Sequence, residues 1–126
     1  MIKRGLKHDL SKFGPDEFNA FSKTAYKLRY IKYGTPEYKE LQKEVDNYAK
    51  LHHWENNSHH PNYYKLGIKE MTLLDQLEML VDWRAATYYN PEGDMFNSFK
   101  LNKERFKYDN LTDQIYRKDS KEIGLI

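Results

Sequence analysis

Four of the five histidines in the chain fall within nine residues, His52-His53-Trp54-Glu55-Asn56-Asn57-Ser58-His59-His60. The fifth, His8, stands beside Asp9 near the start, and Asp75, Glu78 and Asp82 follow the cluster in one largely apolar stretch. Neutral imidazole and carboxylate together ligate zinc, manganese and iron, and the chain has no cysteine to supply thiolate. Histidines used as core fillers or as surface groups are not expected to cluster in this way. The pattern reads as that of a metal-site protein.

The three late acids belong together. At about 100° per residue on a helix, Asp75, Glu78 and Asp82 fall within roughly 60° of one another. Three carboxylates in line repel unless a cation or a solvent face compensates. Apart from Gln76 the residues between them are Leu, Met and Val, which favours a cation over the wet side of an ordinary amphipathic helix. His8 and Asp9, by contrast, are adjacent and diverge by about 100° on a helix, so both reach one ion only if it lies between their directions.

The elements that must carry these groups read as helices. Ile2, Leu6 and Leu10 recur at i, i+4 and i+8, which predicts a short helix over 2–12 bearing His8-Asp9. Gly14-Pro15-Asp16-Glu17 restarts a helix, with Pro at its opening and acids in its first turn. This helix runs to about Tyr33, with Phe18, Phe21, Ala25 and Leu28, and the tyrosines 26, 30 and 33, as its buried stripe. Gly34-Thr35-Pro36-Glu37 stops one helix and opens the next. That third helix carries Tyr38, Leu41, Val45, Tyr48 and Ala49 inward and reaches His52-His53. A loop over Glu55 to Asn62, a long helix from about Ile68 to Tyr88, a turn at Asn90-Pro91-Glu92-Gly93 and two helices near 97–107 and 112–123 complete the chain. Nothing alternates at period two. The expected fold is all-α, a single bundle of about five to six helices, with residues 1–93 as the core that bears the motifs and 94–126 as a helical extension packed on the same domain.

Composition narrows the function classes. The chain has 126 residues, 39% apolar and 15% aromatic, with eleven tyrosines, enough anchoring surface for one folded domain. Twenty-one basic and nineteen acidic residues leave a net charge of +2, without the strong basic footprint of a nucleic-acid binder. Tyr26-Lys27-Leu28-Arg29-Tyr30-Ile31-Lys32-Tyr33 interleaves cations and aromatics, but its i, i+4, i+7 tyrosines also suit helix packing, the preferred reading. No signal peptide or membrane span is predicted, and the lack of cysteine agrees with a cytoplasmic protein. No glycine-rich phosphate loop, serine nucleophile elbow or zincin motif is present. Phe96, Phe99, Phe106 and Tyr116 suit either a homodimer contact or ordinary packing.

In this order, His8-Asp9, the histidines at 52–60 and a late in-helix Asp resemble the HD superfamily of metal-dependent phosphohydrolases. More narrowly, His8-Asp9-Leu10-Ser11-Lys12-Phe13, His52-His53 through His59-His60-Pro61, and Glu78-Met79-Leu80-Val81-Asp82-Trp83 resemble an uncharacterised HD-like family of phages and bacteria. The motifs span residues 8 to about 86. The resemblance implies an all-helical domain in which the His-Asp pair, downstream histidines and a closing Asp hold a divalent metal (Mn, Fe, Ni, Co, Mg or Zn). It also implies a metal-activated water that attacks a nucleotide or another small phosphorylated molecule, with Asp9 and Lys12 catalytic and Lys12 or Arg84 as phosphate clamps. For a phage-encoded chain the host cytoplasm would be the location.

Such proteins carry a further metal-binding histidine upstream of the pair, and none of the seven residues before His8 is one. A start further upstream, substitution by a histidine of the cluster, and a weakened or lost site all stay open. Among the clustered histidines, His53 is favoured as one ligand with His52 also a candidate. His59 and His60 serve a second metal or a phosphate, and Asn56 and Asn57 serve as neutral donors in the same cleft. Asp82 is favoured as the closing ligand, with Asp75 second. The readings that compete with hydrolysis are a degenerate HD-like domain that binds a nucleotide or a protein without turnover, and a di-iron oxygenase on the same scaffold.

Overall fold

A computed structural model describes residues 2–45, 47–90 and 93–126, and its elements follow from local chemistry. Seven α-helices form among these residues: α1 Ile2–Lys7, α2 Phe18–Leu28, α3 Pro36–Lys43, α4 Asn47–Asn56, α5 Leu73–Tyr89, α6 Met95–Phe106 and α7 Asn110–Glu122. Short 3-10 turns cover Leu10–Phe13, Pro61–Tyr63 and Gly67–Glu70. No strand occurs among the described residues. The expected all-α class is therefore what the chain adopts, and no helix among the described residues is long and apolar enough to cross a membrane.

Helix starts follow the side-chain oxygens that can take orphan N–H groups. Thr35 accepts from the Tyr38 N–H with Pro36 at the opening of α3, as the sequence suggests. Thr72 and Asp75 form a reciprocal capping box at α5, and Asp94 and Asp109 cap α6 and α7. Gly34 precedes α3 at φ 81°, and a Cβ there would lie 2.8 Å from Leu101 Cδ1 on α6, so both backbone sign and space call for glycine.

Several expected helices are shorter or broken. The helix predicted over 2–12 stops at Lys7, because Asp9 takes a left-handed conformation at φ 53° before the 3-10 turn. The helix expected to reach Tyr33 ends at Leu28, and its inward line is rotated: Thr24 is buried and Phe21 and Leu28 half-buried, while Phe18, Ala25 and Tyr26 are exposed. The third helix divides into α3 and α4, and Tyr48 faces solvent. The turn expected at Asn90 to Gly93 falls partly outside the described residues.

The principal apolar core lies where α5, α6 and α7 meet. Met71, Met79, Leu80, Trp83, Met95, Phe99, Tyr108 and Tyr116 form it, with Phe106 packed against it. Trp83 sits at its centre, edge-on to Phe99 and Tyr116. Phe99, Phe106 and Tyr116 thus serve internal packing, whereas Phe96 is 62% exposed. Tyr38, Leu41 and Ala49 supply the buried apolar residues of α3 and α4, and Val45 is buried between the two helices. The polar histidine cluster lies between the 8–13 segment, the end of α4, the 57–60 loop and α5.

Candidate metal centre

The left-handed break at Asp9 solves the problem of two adjacent ligands. On a continuous helix His8 and Asp9 would diverge. With the break, His8 Nε2 and Asp9 Oδ2 come within 3.5 Å, and the two residues can share one ion with Asp82 of α5. A non-glycine residue in this region costs on the order of 1 kcal/mol, least for Asn and Asp, and such strain concentrates at functional sites. Here the strained residue is one on which His8, Lys12, His53 and His59 all converge.

Two ligand sets share Asp9 and His59. Asp9, His53, His59 and His60 form one, His8, Asp9, His59 and Asp82 the other, with the potential ligand atoms of each set within 4.8 Å of one another. His59 Nε2 lies 3.2 Å and His53 Nε2 3.4 Å from Asp9 Oδ1, and the Nε2 atoms of His53 and His60 are 2.9 Å apart. His8 Nε2 lies 3.1 Å from Asp82 Oδ1.

Two carboxylates outside these sets orient the imidazoles. Glu17, wholly buried, accepts from Nδ1 of both His52 and His53, at 2.6 and 2.8 Å. Glu78 Oε1 stands 3.0 Å from His8 Nδ1 and 3.3 Å from His59 Nδ1, and Arg4 Nε donates to Glu78 Oε2 at 2.7 Å. A proton on Nδ1 turns the Nε2 lone pair toward the cluster, the usual way an outer carboxylate prepares a metal-binding histidine.

The consequence at the centre is specific. Asp9 Oδ1 and His59 Nε2 are both buried without a hydrogen-bond partner, and their 3.2 Å approach is not aligned as a hydrogen bond. Two buried polar atoms brought this close without an aligned hydrogen bond are satisfied by a cation between or beside them. The residues present therefore fit a divalent metal.

The charge states favour the same reading. Burial pushes the Asp9 carboxyl up, but His59 and Lys12 outweigh it and hold the group far below the usual carboxylate range. Burial keeps His60 neutral by lowering it to about 3, and it lowers His53 as well. His8 is different: its contact with Asp82, aided by Glu78 and opposed by burial, raises it to about 9. His53 and His60 are thus open to an ion near neutral pH, whereas an ion bound by His8 must displace a proton.

The remaining candidates are placed as follows. Lys12 Nζ lies 2.6 Å from Asp9 Oδ2 at the exposed rim. Asn57 is buried and donates to Ser11 Oγ and to the His53 carbonyl, bracing the end of α4, while the exposed Asn56 donates to the His52 carbonyl. His52 belongs to neither ligand set and is held by Glu17 beside Asp16. Asp75 also lies in neither set: Thr72, Ser58, Tyr64 and Arg4 engage its oxygens. Arg84 donates to Thr87 and stacks over Tyr88 at 4.3 Å, and neither partner belongs to the cluster.

Glu17 and Arg4 are the participants that the sequence reading passed over. Glu17 looked like a first-turn acid of the helix after Pro15, a local role that hides its contacts with residues 35 and 36 positions away. Glu17→Ala is expected to cost about 3 kcal/mol of stability, from the loss of a buried charge network, and to weaken metal binding about 10- to 100-fold. Urea denaturation and metal titration of the same variant check the two effects.

The model of a family described as of unknown function, DUF5662, matches residues 1–123, and the chain belongs to that family. No curated protein and no solved structure matches the chain.

Proposed function

We propose that this member of a family of unknown function is a metal-dependent phosphohydrolase of HD-like type, acting on a nucleotide or another small phosphate ester. The observation that carries the reading is the pair of ligand sets that share Asp9 and His59, with buried, unpartnered atoms of those two residues facing each other. Two further features support it. The order of ligands along the chain is the one on which the resemblance to the HD superfamily rests, and Lys12 stands beside Asp9 at the rim.

When bound, a divalent ion would supply a water acidified toward neutral pH and would polarise a phosphoryl oxygen. Asp9, His53, His59 and His60 would hold one ion, with His8 and Asp82 completing the second set. The protein's own groups do the rest. Glu17 and Glu78 keep the imidazoles in one tautomer, so that no reorganisation is needed as charge develops. Lys12, 43% exposed at its side chain, is tied to Asp9 only through a rim contact, and it can turn its ammonium onto a phosphate oxygen without being drawn from the interior. Asp9 then keeps one oxygen for the centre while the other positions that lysine.

Lys12→Ala is expected to lower kcat about 10²-fold with bound metal unchanged, since the lysine belongs to neither ligand set. Steady-state kinetics with metal content on the same sample check this. The function itself is tested by phosphate release from nucleoside monophosphates and simple esters with Mn, Co, Ni, Mg, Zn or Fe added. Turnover that disappears in Asp9→Asn is the expected result. Nucleotide binding without phosphate release under every metal would overturn hydrolysis in favour of a binding domain.

A further inference from the structure

Beside the ligand sets lies a cavity of about 130 Å³ between α5 and α6, whose lining includes His60 and Asp82, the one from the first set and the other from the second. Its aromatic wall is Trp83 with Phe106, two rings parallel to within 2° and 6.2 Å apart between centroids. Its polar wall is α6, which lies outside the motif-bearing segment and contributes Asn97, Ser98 and Asn102. Asn102 is 2% exposed, and its Nδ2 donates to the Ser98 carbonyl and hydroxyl at 3.0 and 3.2 Å, which leaves Oδ1 as an acceptor.

Size and chemistry together restrict the occupant. A cavity of roughly 150 Å³ holds one six-membered aromatic ring, and stays dry only when its walls are apolar throughout. This one is of that size but carries the Asn97 carboxamide, which presents a donor and an acceptor side by side, and the acceptor oxygen of Asn102. Asparagine uses that pair to read the polar edge of a nucleobase. Aromatic faces complete a surface on which a base can stack.

The geometry points to a nucleobase pocket: the organic part of the ligand is a single-ring, pyrimidine-class base held between α5 and α6, with its phosphate directed to the ligand sets through His60 and Asp82. The placement of the phosphate rests on the phosphohydrolase reading. The base pocket does not, and it can be tested without phosphate or metal.

The test is calorimetric titration of the metal-free 126-residue chain with uridine, cytidine, adenosine, guanosine and ribose. Saturable binding of a pyrimidine nucleoside with a Kd of about 1 mM or tighter, and none of ribose, is expected. Asn97→Leu removes an amide, and Ala86→Leu fills the cavity from α5; each should weaken binding about tenfold or more, the worth of one hydrogen bond or a lost fit. Circular dichroism establishes that each variant is folded, and either one suffices if the other is not. Absence of nucleoside binding, ribose binding as tightly, a preference for purines, or affinity untouched by both variants would overturn the assignment. Pyrimidine binding lost in the variants, together with no phosphate release under any metal, would uphold the pocket and overturn hydrolysis alone.

Discussion

Asp75→Ala should lower the stability of the chain by about 4 kcal/mol, the cost typical of breaking a buried, multiply bonded charge. Asp75 is 3% exposed. Its Oδ2 accepts from the Thr72 N–H at 3.1 Å, the Thr72 hydroxyl at 2.6 Å and the Tyr64 hydroxyl at 2.7 Å. Its Oδ1 accepts from Ser58 at 2.7 Å and from Arg4. One carboxylate thus starts α5, fixes the segment before it and ties down α1. Alanine would leave these donors without their common acceptor and remove half of the capping box. Urea denaturation gives the loss directly, and metal content should not change, because Asp75 supplies no atom to either ligand set.

The same residue gives the fold a defined acid sensitivity. Burial raises the Asp75 carboxyl, but the bonds from Thr72, Ser58, Tyr64 and Arg4 outweigh it and hold it below its ordinary value of 3.8. A depressed native pKa stabilises wherever the unfolded carboxyl is ionised. The contribution is therefore complete above about pH 4 and declines as the pH falls below that. The stability gap between the wild type and Asp75→Asn should be widest at pH 7, already smaller at pH 3, and smaller still as the pH falls further. An unchanged gap would remove Asp75 as the source.

Asp9→Ala should abolish bound metal altogether, since both ligand sets include this carboxylate. Alanine also meets the left-handed backbone at φ 53°, a strain on the order of 1 kcal/mol that has nothing to do with ligation. Asn tolerates that conformation and keeps the size of the side chain. Asp9→Asn therefore isolates the loss of charge, and it should also empty the site while the fold persists by circular dichroism. Metal retained in Asp9→Asn at wild-type level would mean that the histidines alone hold it.

Much of the fold could be read from local signals. Thr35-Pro36 marks the start of α3, and Gly124, at φ 76°, follows the end of α7. What escaped was long-range. Nothing local shows that the first helix ends at Lys7, because Asp9 bends under the pull of partners more than forty residues away. Four of the five histidines and Asp9 and Asp82 converge as their order suggests, yet Glu17 and Arg4 could not be joined to them by spacing. The ambiguity between Asp75 and Asp82 had a signal: Thr72 stands three residues before Asp75, which is capping-box spacing, and a carboxylate so used has little left for a metal. The stripe of Asp75, Glu78 and Asp82 is real, but its members divide the work. Asp75 caps the helix, Glu78 orients His8 and His59, and Asp82 faces His8 at the second ligand set.

Elemental mass spectrometry of the purified wild-type chain, incubated with Mn, Fe, Co, Ni or Zn and then freed of loose ions, tests the metal centre most directly. The arrangement of Asp9, His53, His59 and His60 predicts stoichiometric metal near neutral pH, rising toward two equivalents, one for each ligand set, as alkaline pH removes the proton from His8. A folded chain that stays empty with every one of these ions across that range would contradict the account.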